Sequence, residues 1–334
     1  MSATTVVSVS PHLRDRDTTA RVMWTVFIAL VPALAAATYL FGLRALLLSA
    51  VAVAVSVGTE VLSQLVFKRE VSVSDGSAAV TGLLLAFTCP PQTPLWMVAL
   101  GAFAAIFLVK QLFGGVGYNI FNPALLGRAF LLATFPVAMT SAWLPPLKDM
   151  AVFSYLGEGI NAVSTATPLA VIKEQGMAAF TEMFGSGASL YSSFFLGWRP
   201  GCIGETSGFL ILLGGLYLMY RKYITWHIPV SVVGTVALLS WIFGGDTYFT
   251  GDPLLAVLSG GVLLGAFYMA NDYVTSPSNK ISQLVYGVGI GALTVMIRLK
   301  GGYPEGICYA ILLMNSMSPV LDGWFKPRRF APPL

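Results

Sequence analysis

The sequence predicts an all-α, polytopic membrane protein of about ten transmembrane helices with one larger loop outside the bilayer. Three observations carry that reading. Apolar residues make up 56% of the 334-residue chain and charged residues only 10%, against about 25% charged in soluble domains. So few charges cannot coat a water-facing surface, and lipid must solvate most of it. Apolar runs near the length that crosses a hydrocarbon core, roughly 20 residues, recur along the chain. The 34 glycines and 19 prolines suit membrane helices, which carry both more often than soluble ones.

In order, the polar start Met1 to Thr19 precedes an apolar segment too long for a signal peptide, so no cleavable leader is expected. The first span is Val22 to Phe41 and the second Ala45 to Phe67, ended by Lys68-Arg69-Glu70. Asp75 to Phe87 is short, stops at Cys89-Pro-Pro-Gln-Thr-Pro94, and reads as a short or broken helix. Leu95 to Leu112 is the fourth span. The turn Gly114-Gly-Val-Gly117 then leads through Tyr118-Asn-Ile-Phe-Asn-Pro-Ala124 into a short fifth span ending near Thr140. Trp143 to Glu205 has Pro145-Pro146, mixed charges and no run of spanning length, so it is a loop or small extramembrane domain. Its amphipathic piece Ala170 to Phe184 suits a membrane surface. Five spans follow: Thr206 to Tyr220, Thr225 to Phe243, Leu254 to Ala270, Ile281 to Leu299 and Gly306 to Leu321. The division is thus 1–21 (cytoplasmic segment), 22–140 (first membrane half), 141–205 (loop), 206–325 (second half) and 326–334 (tail).

Orientation follows from Lys and Arg in short loops. One side holds 13 of the 19, from Arg14 to Arg329 and including Lys110 and Arg128; the other holds Arg44, Lys148, Lys173, Arg199, Arg298 and Lys300. Both termini are therefore expected in the cytoplasm and the 141–205 loop outside. Five spans per half would make a duplicated unit inverted, with broken helices near the midplane. Asn119 to Pro123 and Asn315 to Pro319 are the paired segments; chance likeness is the other reading.

The same residues exclude several functions. No basic run suits nucleic acid. Cys89, Cys202 and Cys308 are far apart, with no C-x-x-C pair for a zinc or iron–sulfur site within the chain. His12 and His227 have no ligand-spaced partner, so no metal is assigned. No strand-borne G-x-G-x-x-G marks a dinucleotide site.

The stretch Asn161-Ala-Val-Ser164-Thr-Ala166-Thr167-Pro168 offers a hydroxyl flanked by small residues and stiffened by proline. Read alone, it is a Ser/Thr turn with Thr167 capping a helix. Read as chemistry, residues 161–167 resemble the flavinylation motif Asp-x-x-Ser/Thr-Gly-Ala-Thr of flavin-carrying membrane subunits. Ser164, Ala166 and Thr167 agree, while Asn161 and Thr165 depart. Further stretches resemble one family, the D subunit of the Rnf ion-translocating electron-transport complex, related to the B subunit of the sodium-pumping NADH:quinone reductase. They are Ser10-Pro-His-Leu-Arg-Asp-Arg-Asp17, Asp75 to Ala86, Gly114 to Ala124, Leu258-Ser-Gly-Gly261 with Met269 to Pro277, and Gly301-Gly-Tyr-Pro-Glu-Gly306.

That resemblance implies FMN esterified to Thr167 by a separate flavin transferase that uses FAD. It implies other Rnf subunits as partners, a bacterial cytoplasmic membrane, and coupled movement of Na+ or H+. Asn119 and Asn122 lie three apart and resemble the relative's site for a second, non-covalent riboflavin; the other reading is a pair satisfying backbone at a broken helix. Glu60 and Gln64 sit one turn apart in the second apolar run, and Asp75, Asp272 and Glu305 lie near helix ends. A carboxylate in a membrane points to function by default, whereas Asp75 and Glu305 read as interfacial acids near water. Two functions from different classes remain: the flavin subunit of an Rnf complex or of the quinone reductase, and a cofactor-free channel or transporter. The Thr167 loop separates them, because a plain channel does not need it.

Overall fold

The computed structural model describes residues 17–141, 143–146, 166–205, 207–245 and 247–325, and among these every regular element is helical. The first half begins with α1 (Thr19–Phe41), capped by the Thr18 hydroxyl, and α2 (Leu43–Val66). At 1.5 Å per residue the 23 residues of α1 reach about 35 Å, beyond the ~30 Å hydrocarbon core. Three short elements follow the longer pair: α3 (Ser77–Phe87), α4 (Leu95–Ala104, continuing as a π-helix over Ala105–Gln111) and α5 (Pro123–Thr134), with the stub α6 (Pro136–Ser141). The Thr167 segment supplies α7 (Pro168–Phe184) and α8 (Ala188–Leu196). The second half holds α9 (Gly208–Tyr220), α10 (His227–Phe243), α11 (Pro253–Leu258), α12 (Val262–Leu264, continuing as a π-helix over Gly265–Met269), α13 (Lys280–Lys300) and α14 (Ile307–Trp324).

Of these, α1, α2 and α13 are long and apolar enough to cross a membrane; α3, Leu95–Gln111, α5, α9 and α10 are apolar but shorter. The broken third helix expected from Cys89-Pro90 is present, since α3 ends at Phe87 with every residue buried. Two expected spans are divided instead of continuous. The fifth splits where Phe135 precedes Pro136, because proline disfavours helix in the residue before it. Leu254 to Ala270 splits at Gly260 and Gly261, with φ of 68° and 67°, a conformation that glycine adopts without strain. The Gly260 break stays inside the packed body, where protein groups rather than lipid can satisfy the freed backbone, whereas the Phe135–Pro136 break lies among exposed residues.

One local rule starts three helices that frame the sites below. Asn122-Pro123, Thr167-Pro168 and Asp252-Pro253 each place a capping side chain before a proline in the first turn. The side-chain oxygen accepts an orphan N–H, and proline gives up an N–H that the helix start does not use. Packing then joins the halves: α1 lies on α9 and α5 on α14, while α2 packs on α3 and α10 on α13. The α2–α3 approach is close enough that a Cβ on Gly82 would meet the Ala52 carbonyl oxygen at 2.6 Å, the small-residue packing of membrane helices.

Candidate functional sites

Thr167 is the N-cap of α7: its Oγ1 accepts from the Ala170 N–H at 3.2 Å. The capping alternative raised by the sequence is therefore realised in this chain. Ala166 is exposed, while Ser164 lies outside the described residues. The hydroxyl itself is less open than its small neighbours suggest, since Thr167 is 5% exposed. It lines a cavity of about 40 Å³ with Trp143, Tyr303, Tyr309, Arg128 and Glu305. A smaller cavity on its other side is walled by Arg199, Glu205, Ser259 and Gly260.

Around these cavities lies a buried charge cluster. Arg128 on α5 donates to the Glu305 carboxylate, and both side chains are largely buried. Glu305 is thus the inner member of an ion pair, which overturns its reading as an acid beside water. Arg128 likewise belongs with the Thr167 end, although its sequence position grouped it with the opposite loops. Cys202 Sγ lies 3.7 Å from Glu305 Oε1. Arg199 donates to the Glu205 backbone oxygen at 3.0 Å and stacks on Phe194. Arg298 donates to three backbone oxygens, those of Glu305, Ala256 and Ser259. The Ala256 and Ser259 carbonyls lie just before the Gly260–Gly261 break, so Arg298 supplies hydrogen bonds that the interrupted helix lacks. Within the cluster Glu205 Oε1, Arg199 Nε and Arg128 Nε have no partner among the described residues.

The next turns of α7 wall a larger groove, of about 430 Å³, against α10, α11 and α13. Its lining includes Ile172, Lys173, Phe243, Asp252 and Arg298. At this size it falls within the ~300–1,000 Å³ of ordinary ligand pockets. α7 bends at its edge, where Gly176 takes φ 85° and ψ 175°. Lys173 ties the helix to the 301–303 turn by donating to the Gly301 and Tyr303 carbonyls. Tyr191 on α8 donates to Asp252 at 2.5 Å, and this bond to a carboxylate pushes the phenol above its ordinary range.

Asn119 and Asn122 lie at a second site. Asn122 Oδ1 caps α5 at Leu125 N, and its Nδ2 donates to the Met269 carbonyl at 3.1 Å. Asn119 Nδ2 donates to the Phe121 carbonyl at 3.1 Å. The backbone-satisfying role weighed for the pair is thus present. With its amide turned to satisfy both ends, Asn315 donates to the Tyr286 hydroxyl and accepts from Asn122 N–H at 3.0 Å. The two segments matched between the halves therefore meet in space. Both asparagines line a cavity of about 90 Å³ with Lys110, Ser77, Asn271 and Asp272.

Asn122→Ala is expected to lower stability by about 1–3 kcal/mol, through the lost cap and an orphaned Met269 carbonyl. Thermal unfolding of chain without flavin checks this, because the cost falls on the apoprotein.

Behind that cavity, Glu60 meets Lys110 Nζ at 2.5 Å and Gln111 Nε2 at 2.9 Å, and Lys110 also donates to Ser77 Oγ at 2.6 Å. Asp75 accepts from the Ser77 N–H and hydroxyl, which starts α3. Gln64 pairs with Ser72 through both ends of its amide, and Asp272 accepts from Thr275. His227 stacks on Trp226 and lies apart from both sites, while His12 falls outside the described residues. Lys110, Arg128, Arg199, Arg298, Glu205 and Cys202 are the site-forming residues that sequence reasoning did not single out. The available signal was a charge inside or bordering an apolar run.

Comparison with known proteins agrees over nearly the whole length. The sequence model of the NQR2, RnfD, RnfE family matches residues 6–331. The D subunit of the proton-translocating ferredoxin:NAD(+) oxidoreductase complex of Clostridium ljungdahlii is 47% identical over 325 residues, covering 97% of this chain and 95% of the relative. The D subunit of the Na(+)-translocating ferredoxin:NAD(+) oxidoreductase complex of Acetobacterium woodii is 46% identical, covering 96% and 94%. The D subunit of the ion-translocating oxidoreductase complex of Vibrio cholerae is 37% identical, covering 97% and 98%.

Proposed function

Because the chain belongs to the NQR2, RnfD, RnfE family, we propose that it is the membrane flavoprotein subunit of an ion-translocating ferredoxin:NAD oxidoreductase, with FMN joined to Thr167. It works with the other Rnf subunits in a bacterial cytoplasmic membrane and contributes to coupled movement of Na+ or H+. The chain makes about ten crossings as two inverted five-helix units. Both termini are cytoplasmic and the Thr167 segment lies outside.

One observation carries the flavin reading. The Thr167 hydroxyl stands where a buried cluster of charged side chains meets the first turn of a helix whose next turns wall a groove of about 430 Å³. The orphaned Arg199 and Arg128 nitrogens suit a phosphate, and the groove alone among the cavities bordering this turn has room for a three-ring system. Ile172 and Phe243 would hold the ring by apolar contact, with Lys173, Asp252 and Arg298 as polar neighbours. FMN when bound supplies the redox chemistry that side chains lack. The residues of this chain anchor it, orient it and keep water from its buried edge.

Attachment forms a bond from Thr167 Oγ to the FMN phosphorus of FAD. The pyrophosphate P–O bond breaks, AMP leaves, and the hydroxyl proton passes to solvent. Because Thr167 is 5% exposed, the first turn of α7 must open to a transferase before it closes over the product. A second, non-covalent riboflavin at Asn119 and Asn122 is the lesser part of the proposal. The amides, Lys110 and Asp272 offer donors and acceptors, and the cavity must widen to admit it.

The test is coexpression with a flavin transferase, followed by a denaturing gel under ultraviolet light and intact mass. Unaltered chain should fluoresce and gain the mass of one FMN less water. Thr167→Asn keeps a good cap but has no hydroxyl, so it should fold and stay dark. A dark band from folded, unaltered chain would overturn the covalent assignment and leave a cofactor-free transporter.

A further inference from the structure

Thr167 is closed off by the helix that it caps, and that helix is divided. At Gly176 the backbone takes φ 85° and ψ 175°, a region that is essentially glycine's alone. A Cβ on Gly176 would meet nothing within 4 Å, so the conformation, not space, calls for glycine there. The two halves of α7 are held differently. The second is pinned by aromatic rings: Phe180 is buried and packs on Phe184 and on Phe194 of α8, with centroids 5.2 and 6.2 Å away. The first buries only Pro168 and Val171, while Lys173, Glu174 and Gln175 are exposed. Among the described residues, Lys173 is the one side chain of α7 that hydrogen-bonds outside the helix, to the Gly301 and Tyr303 carbonyls.

We infer that Thr167–Gln175 is a flap, hinged at Gly176 and latched by Lys173, whose opening admits the flavin transferase to Thr167. Its purpose rests on the covalent reading above; its movement does not. Lifting the flap frees the hydroxyl from Trp143 and Tyr303. The same movement withdraws Leu169, Ile172 and Lys173 from the wall of the 430 Å³ groove, so the anchor and the ring's seat open together. The kink belongs to the closed form. With the second half pinned, a straight α7 carries its first two turns off the body.

The test reads opening without flavin. In a Thr167→Cys background, labelling of that thiol by a maleimide is followed by intact mass on folded chain in detergent. Cys89, Cys202 and Cys308 are buried, and the unaltered chain supplies their baseline. Lys173→Met removes the latch and should speed labelling by about fivefold, the shift that one lost hydrogen bond of ordinary strength produces. Gly176→Ala penalises the kink and should speed it at least as much. Gly185→Ala is the control. Gly185 also has a positive φ, 82°, and space for a Cβ, but it lies beyond the pinned half, so labelling should stay close to that of the Thr167→Cys parent. No acceleration in the first two variants, or an equal one in Gly185→Ala, would overturn the flap. With Thr167 restored and transferase present, FMN attachment should accelerate in the same order. Faster labelling with unchanged attachment would overturn the flap's role in admitting the enzyme. Absence of FMN from the unaltered chain would overturn the covalent reading instead, with labelling still deciding the movement. If Lys173→Met fails to fold, the contrast between Gly176→Ala and Gly185→Ala decides alone.

Discussion

Glu305→Gln should lower the stability of the folded chain by about 3–5 kcal/mol, among the larger effects available to one substitution here. Its carboxylate is the partner of Arg128, and the side chains are 11% and 8% exposed. Removing the acid leaves a guanidinium buried beside Cys202 and Cys308 without its counter-charge. The cost comes from that stranded charge more than from the attraction itself, so the double variant Arg128→Met with Glu305→Met should recover most of the loss. Thermal unfolding in detergent of the two singles and the double is the measurement. Equal losses in the double and the singles would mean that local packing sets the effect.

Lys110→Met should cost a similar amount, about 3–5 kcal/mol, at the other site. Lys110 is 3% exposed and Glu60 0%. Without the ammonium, Glu60 keeps only the Gln111 amide, and Ser77 Oγ loses its donor. Ser77→Ala removes the hydroxyl's two hydrogen bonds, from Lys110 and to Asp75, and leaves the ion pair, so its cost should be about 2 kcal/mol. The ratio between those two losses in urea or thermal unfolding separates the charge pair from the surrounding contacts. Glu60→Gln leaves the ammonium buried and should resemble Lys110→Met.

How much of this was legible depends on the range of the signal. Proline and capping residues act within a few positions, so the end of α3 before Cys89-Pro90 and the start of α5 at Asn122-Pro123 could be read directly. Gly260-Gly261 was hidden because hydropathy over Leu254 to Ala270 is continuous, and hydropathy does not report φ. Thr167 was legible as a cap and as a motif, but its burial was not. Trp143 and Tyr303 reach it from distant parts of the chain. The Arg128–Glu305 pair joins residues 177 apart, which no local pattern in one sequence discloses. Arg128 was nevertheless visible as a lone cation in the apolar run Ala124 to Leu132. Counting it as a topology marker, where charges cluster in loops, concealed its role inside the packed body.

The widened helical segment Ala105–Gln111 sets a different kind of constraint on how this gene can drift. A π turn holds one residue more than the α turn it replaces, and that surplus residue aims Lys110 at Ser77 and Glu60. Exchange of one aliphatic side chain for another there leaves the aim intact. An in-frame loss of a single codon would restore α geometry and swing Lys110 by about 100° around the axis, leaving composition and hydropathy almost untouched. Spacing, more than residue identity, is what descendants of this sequence have to preserve along that stretch.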